Sequence, residues 1–200
     1  MITDTLKSSS VHMSRLIALA CFTALLLSSP AHARKVAGVE LESSLAVGGE
    51  ELILNGAGLR KRLFIKLYVG SLYLGSPSND AAGVIAADES MAIRLNILSD
   101  LLTRDKMLKA LKSGFNKSTG GNTGPVQPQI DQMIELMTDK IRPGDSYTFA
   151  FEPAVGTRMS RNGEELGLIE GLEFKQALFG IWLSDKPVQA NLKSAMLKGG

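Results

Sequence analysis

The chain of 200 residues holds one cysteine and two histidines, and all three, Cys21, His12 and His32, precede Arg34. From Arg34 onward there is no thiol and no imidazole. Disulfides, zinc sites with nitrogen or sulfur ligands, and Ser-His or Cys-His nucleophile systems are therefore excluded downstream of that point. Long hydrophobic runs are lacking too. The run from Leu16 to Leu27 is twelve residues, too short to cross the ~30 Å hydrocarbon core of a bilayer. Arg15 stands before it and Ala31-His32-Ala33 after it, which is the layout of a secretory signal peptide cleaved after Ala33. Its true start is Met1 or Met13. A lipid anchor on Cys21 fits less well, because the run continues past the cysteine. The expectation is a leader over 1–33, one domain over 34–200 with no transmembrane segment, and a periplasmic or secreted location.

An excess of charge of one sign is missing as well. Without Lys7, Arg15 and Asp4 of the leader, the 22 basic and 20 acidic side chains fall to 20 and 19. That balance gives no overall electrostatic reason to expect nucleic acid or an anionic surface as partner. The stretch "GGNTGP" lacks the lysine and hydroxyl spacing of a nucleotide-phosphate loop, and no cofactor or metal is expected.

What is present is short apolar segments with clear periodicity. Val36 to Leu41 and Glu50 to Asn55 read as strands, with Gly48-Gly49 as a turn signal between them. Leu63 to Leu74 is almost continuously apolar and reads as a strand covered on both faces. Met91 to Leu98 alternates as a further strand. Arg104 to Phe115 and Pro128 to Ile141 carry apolar residues at helical spacing, joined by the flexible Ser118 to Pro125. Tyr147 to Phe151 and Gly156 to Ser160 return to strand. Arg161-Asn162-Gly163-Glu164 carries the strongest short hairpin signal, Asn-Gly, and Glu165 to Ile169 is the returning strand. Two helices close the chain, Gly171 to Leu183 and Pro187 to Leu197, the latter with Pro187 suited to its first turn. Antiparallel strands with helices in blocks define an α+β class.

One stretch stands out: "NGAGLRKRLFIKLYVGSLYL", Asn55 to Leu74, with Arg60, Lys61 and Arg62 pressed against Leu63, Phe64 and Ile65. A charge entering an apolar environment costs several kcal/mol unless something pairs with it. In one straight strand Arg60 and Tyr68 would lie about 26 Å apart. They meet only if the chain reverses near Arg60 to Arg62, so that the strands on either side pair. A guanidinium and a phenol meeting inside an apolar sheet would fix the head of a carboxylate or enolate, with hydrocarbon beyond. On periodicity alone the alternative reading is an exposed hairpin tip and a core tyrosine. Asp100, Arg104 and Asp105 read either as an acid/base cluster or as the charged start of a helix, the second fitting better.

"NGAGLR" followed by "FIKLYVGSLYL", together with "ALFGIWLSDKPVQANLKSAML" from Ala177 to Leu197, resembles the chalcone isomerase family. The resemblance runs from about Val36 to Leu197. It implies an open-faced β-sandwich: a large antiparallel sheet with a layer of helices. The family includes isomerases that close a chalcone phenol onto its enone, and non-catalytic relatives, some of which bind fatty acids. The family's active-site arginine after Gly-x-Gly falls on Arg60. The threonine of the true isomerases falls on Tyr68, where the fatty-acid-binding branch is similar in carrying tyrosine. The tyrosine and asparagine of the enzymes would lie within Thr103 to Ser113, which holds neither, and the pocket Ser or Thr falls close to Ile181.

The resulting expectation is a non-catalytic chalcone isomerase-like protein that binds a fatty acid or similar hydrophobic carboxylate. Arg60 would pair with the acid and Tyr68 would donate a hydrogen bond, while Leu63, Phe64, Leu67, Met107 and Trp182 form walls. Two alternatives remain open. One is an intramolecular lyase or isomerase, with Arg60 and Tyr68 as catalytic groups. The other is a protein-interaction module with a collapsed pocket.

Overall fold

The computed structural model describes residues 34–199; the leader expected over 1–33 lies outside them. A seven-stranded antiparallel sheet runs in chain order: β3 (Ser44–Val47), β4 (Glu50–Arg62), β5 (Ile65–Leu74), β6 (Met91–Ile97), β7 (Ser146–Glu152), β8 (Gly156–Arg161) and β9 (Glu164–Ile169). A separate hairpin pairs β1 (Arg34–Val36) with β2 (Val39–Leu41). Because each strand pairs with its sequence neighbour, connections are either tight turns or excursions that build the helical layer. The excursion between β5 and β6 carries α1 (Ala81–Ala86). That between β6 and β7 carries α2 (Arg104–Ser118), a 3₁₀ turn at Gly124–Val126, and α3 (Gln127–Leu136). After β9 the chain closes with α4 (Leu172–Leu183) and α5 (Ala190–Met196).

Alternation along the strands sorts the core. Tyr68, Leu72, Ile93, Leu95, Phe149 and Met159 turn to one face and pack on Met107, Leu111, Phe115, Leu178, Ile181 and Trp182 of the helices. The opposite face of β4 and β5 is covered as well. Tyr73 packs there with Leu45, Val47 and Leu52, and Val69 packs with Leu41 and Ala57 beneath the β1–β2 hairpin. This is the α+β sheet-and-helix-layer architecture expected. Among the described residues no helix is long and apolar enough to cross a membrane.

Several boundaries differ from expectation, each for a local reason. Val36 to Leu41 is not one strand: the chain reverses at Ala37 and Gly38, both at positive φ (51° and 95°), and Arg34 comes opposite Leu41. Strand β3 and helix α1 gave no usable signal, being four and six residues long. Helix α1 starts because the Asp80 carboxylate accepts from the backbone N–H of Ala82 and Gly83. It ends on Lys175, reaching across from α4 to donate to the carbonyls of Val84, Ile85 and Ala87. Helix α3 stops at Leu136, five residues before Ile141. Met137 and Ile141 are nonetheless buried, so the periodic spacing marked burial where the backbone is no longer helical. Pro187 lies in the connector, and α5 begins only after Gln189. The Ser118 to Pro125 connection is tied to α4 by the Ser118 hydroxyl, 2.7 Å from the Ala177 carbonyl.

Candidate functional site

The apolar stretch that begins at Leu63 opens with the turn itself and continues as one strand, so the reversal falls just beyond Arg60 to Arg62, where it was expected. Strand β4 runs on to Arg62, Leu63 and Phe64 form the turn, and β5 begins at Ile65. Register then places Arg60 directly opposite Tyr68. Residues opposite one another on paired strands project to the same face, so the cation and the phenol are brought together, as reversal of the chain would require.

The two glycines before Arg60 explain how that face is closed. A Cβ on Gly56 would lie 2.4 Å from the Ala195 carbonyl oxygen and 2.6 Å from that of Met196; one on Gly58 would lie 2.6 Å from the Ala195 Cβ. Helix α5 therefore rests on bare backbone. Its approach delivers Gln189, whose Oε1 accepts from Arg60 Nη1 at 2.9 Å and from the Lys61 backbone N–H at 3.0 Å. The Gln189 amide donates in turn to the Leu59 carbonyl at 3.2 Å. Arg60 Nη1 also donates to the Lys61 carbonyl at 2.7 Å. Among the described residues its partners are neutral oxygens, and no carboxylate stands within ion-pair distance of it.

Tyr68 is buried, and its hydroxyl accepts from the indole N–H of Trp182 at 3.0 Å. Burial pushes the phenol pKa up, against the hydrogen bond from Trp182 and the positive charge of Arg60. At neutral pH the group is therefore a neutral O–H with one lone pair occupied. Among the described residues its proton has no acceptor, and is free to donate.

Both groups border a cavity of about 330 Å³ between β5, α2 and α4. This lies near the lower end of the ~300–1,000 Å³ typical of small-molecule sites. Arg60, Arg62 and Lys106 supply its cations, and no carboxylate lines it. Its apolar wall includes Leu67, Met107, Leu111, Ile181, Trp182 and Val188. The arrangement offers one end that favours an anion and a hydrogen-bond acceptor, and a remainder that favours hydrocarbon.

Of the residues singled out in the sequence, Arg60, Tyr68, Leu67, Met107, Trp182 and Leu63 line this cavity. Phe64 does not. It sits at the hairpin tip, 99% exposed, because the turn that joins Arg60 to Tyr68 consumes it. Asp100, Arg104 and Asp105 also stay outside the lining. Asp105 pairs with Arg104 at 3.7 Å, while the Thr103 hydroxyl caps α2 by accepting from the Lys106 N–H. Gln189 was missed, as a glutamine between a proline and a helix carries no chemical signature. Lys106 was missed as well, since a lysine on an amphipathic helix carries no chemical signature of its own.

The family description that matches residues 33–198 is chalcone isomerase-like. Among solved structures, the crystal structure of a fatty-acid binding protein from Arabidopsis thaliana superposes with a TM-score of 0.63 at 16% identity, covering 80% of this chain and 92% of that one. At that identity the likeness is one of fold. No curated protein is significantly similar to this chain in sequence. With the match spanning nearly every residue from Ala33 on, the chain belongs to the chalcone isomerase-like family.

Proposed function

We propose that this protein binds a fatty acid or similar hydrophobic carboxylate in the cavity beside Arg60, and performs no isomerisation. The observation that carries the reading is the pairing of an Arg60 guanidinium without a carboxylate partner and a Tyr68 phenol with an unused proton, at one end of an otherwise apolar cavity. A carboxylate takes charge-assisted hydrogen bonds from the first and a neutral one from the second. Its chain then replaces water along Leu67, Met107 and Ile181. A structural relative that is a fatty-acid binding protein supports the same reading. Isomerisation asks for further polar groups to orient a phenolate, and the helix wall here is Met107, Leu111 and Ile181.

Calorimetric titration with oleate tests this. Arg60→Ala is expected to weaken binding about 10- to 100-fold and Tyr68→Phe about 3- to 10-fold, the span of hydrogen bonds to charged and neutral groups. The corresponding alcohol is expected to bind wild type as weakly as oleate binds the Arg60 variant. Equal affinity for acid and alcohol would overturn the assignment of Arg60. In the same proposal residues 1–33 are a cleaved signal and 34–200 the exported domain. N-terminal sequencing of the protein from its host, starting at Arg34, is the supporting result.

A further inference from the structure

The turn between β4 and β5 is costly by two separate measures. Leu63 holds φ at 54°, where glycine is the ordinary occupant of a two-residue hairpin turn and a branched side chain is strained. Leu63 and Phe64 are also 85% and 99% exposed, so neither contributes to the core. Isolated exposed apolar residues are common, but clusters mark contact surfaces. Here they cluster. Among the described residues the large exposed apolar side chains are Leu63, Phe64, Ile65 (36%) and Leu101 (49%), with Ile53 elsewhere. Leu63, Ile65 and Leu101 border the cavity itself.

Cations surround this tip. Arg62, Lys61 and Lys66 flank it on the two strands, and Arg60 and Lys106 stand at the cavity. The acids nearby in sequence are Asp100, beside Leu101, and Asp105, which is engaged by Arg104. The near-neutral total charge hides this local excess. An apolar point inside a basic collar complements an anionic lipid surface, where the side chains enter the acyl boundary and the cations meet headgroup phosphates. A second copy of the chain fits worse, since tip-to-tip docking would set these cations against one another.

We infer that the Leu63-Phe64 tip docks on an anionic bilayer, and that the cavity mouth thereby opens against lipid. Building on the carboxylate-binding reading, an acyl chain then passes between membrane and cavity without traversing water.

Flotation of the protein with phosphatidylcholine vesicles, with and without phosphatidylglycerol, reads the docking, and oleate titration in vesicle-free buffer reads the cavity. The expected result is flotation with the anionic vesicles only. Phe64→Ser is expected to lower it roughly tenfold or more, and Lys61→Glu with Lys66→Glu to abolish the dependence on phosphatidylglycerol. Phe64 does not line the cavity, so Phe64→Ser is expected to keep wild-type oleate affinity in solution. Oleate binding without flotation overturns the docking and leaves the carrier reading intact. Flotation without oleate binding overturns the carrier reading and, with it, the transfer route. Equal flotation of Phe64→Ser, or a dimer in sedimentation that this substitution dissolves while vesicles stay bare, overturns the tip as a lipid contact.

Discussion

Gly56→Ala is expected to lower stability by on the order of 3 kcal/mol or more, and Gly56→Val to prevent folding. The added Cβ would meet the carbonyl oxygens of Ala195 and Met196 at 2.4 and 2.6 Å. These are backbone atoms that no side-chain rotation can move. Relief requires helix α5 to lift from β4. Leu192 and Met196, both fully buried, would then lose burial worth ~1.5–3 kcal/mol each. The Asn55 amide would lose the Met196 carbonyl, to which it donates at 2.8 Å. Lifting α5 also withdraws Gln189 from Arg60, so the fraction that still folds should bind oleate less tightly. Gly58→Ala is the milder control, since it meets the Ala195 methyl and a Leu192 methyl, both on side chains. Urea titration of the three variants checks the order. A Gly56→Ala midpoint equal to wild type would show that α5 does not rest where it is placed.

Asp145→Ala is expected to cost about 3–5 kcal/mol at pH 7, the cost of breaking a buried ion pair on one side. The Asp145 carboxylate accepts from the Arg142 backbone N–H at 2.7 Å, from Arg161 Nη2 at 2.8 Å and from Asn162 Nδ2 at 3.0 Å. Its removal leaves the Arg142 N–H and the Asn162 amide without this acceptor at the start of β7 and beside the Asn162-Gly163 turn, and leaves the largely buried Arg161 with the exposed Asp139 as its one carboxylate and the Lys140 carbonyl as its remaining neutral acceptor. Burial works against the Asp145 charge, but the hydrogen bonds from Asn162, Arg142 and Arg161 and the Arg161 charge outweigh it and hold the carboxyl below its usual range. A folded-state pKa below the unfolded value of ~3.9 means the stabilisation is complete above about pH 4 and lost as pH falls through the folded value. The gap between wild type and Asp145→Ala should therefore narrow in acid. Denaturation at a series of pH values reads this, and a gap constant from pH 7 to 2 would contradict it. No Asp145 partner lines the cavity, so the folded variant is expected to bind oleate as wild type does.

The elements legible in the sequence were those whose backbone or burial demands a residue type. Asn162 and Gly163 both hold positive φ (54° and 85°), a demand that Asn-Gly meets at low cost and therefore advertises. Ala37 and Leu63 meet the same demand without advertising it. For that reason the pattern predicts one strand over Val36 to Leu41 and a covered strand from Leu63 on, whereas the structure has a hairpin in the first and an exposed turn at the start of the second. Met137 and Ile141 show the converse, a helical spacing that outlasts its helix because the positions remain in the core. At the site, the convergence of Arg60 and Tyr68 was readable as a condition, since only a reversal between them brings the side chains together. The turn that satisfies it places Phe64 outside, which a run of apolar letters does not reveal. Gln189 and the free phenol proton depend on where α5 and Trp182 come to rest, and those are tertiary facts.

The central claim is that the guanidinium of Arg60 holds a ligand carboxylate inside the cavity. An NMR titration of oleate carrying ¹³C at its carboxyl, bound to the protein and followed from pH 8 to pH 4, tests this most directly. Pairing with Arg60 and the Tyr68 hydroxyl predicts a bound carboxyl that stays ionised below the pH at which the ligand protonates when bound to Arg60→Ala. A bound carboxyl that titrates identically in the two proteins, or no bound signal at all, would contradict it.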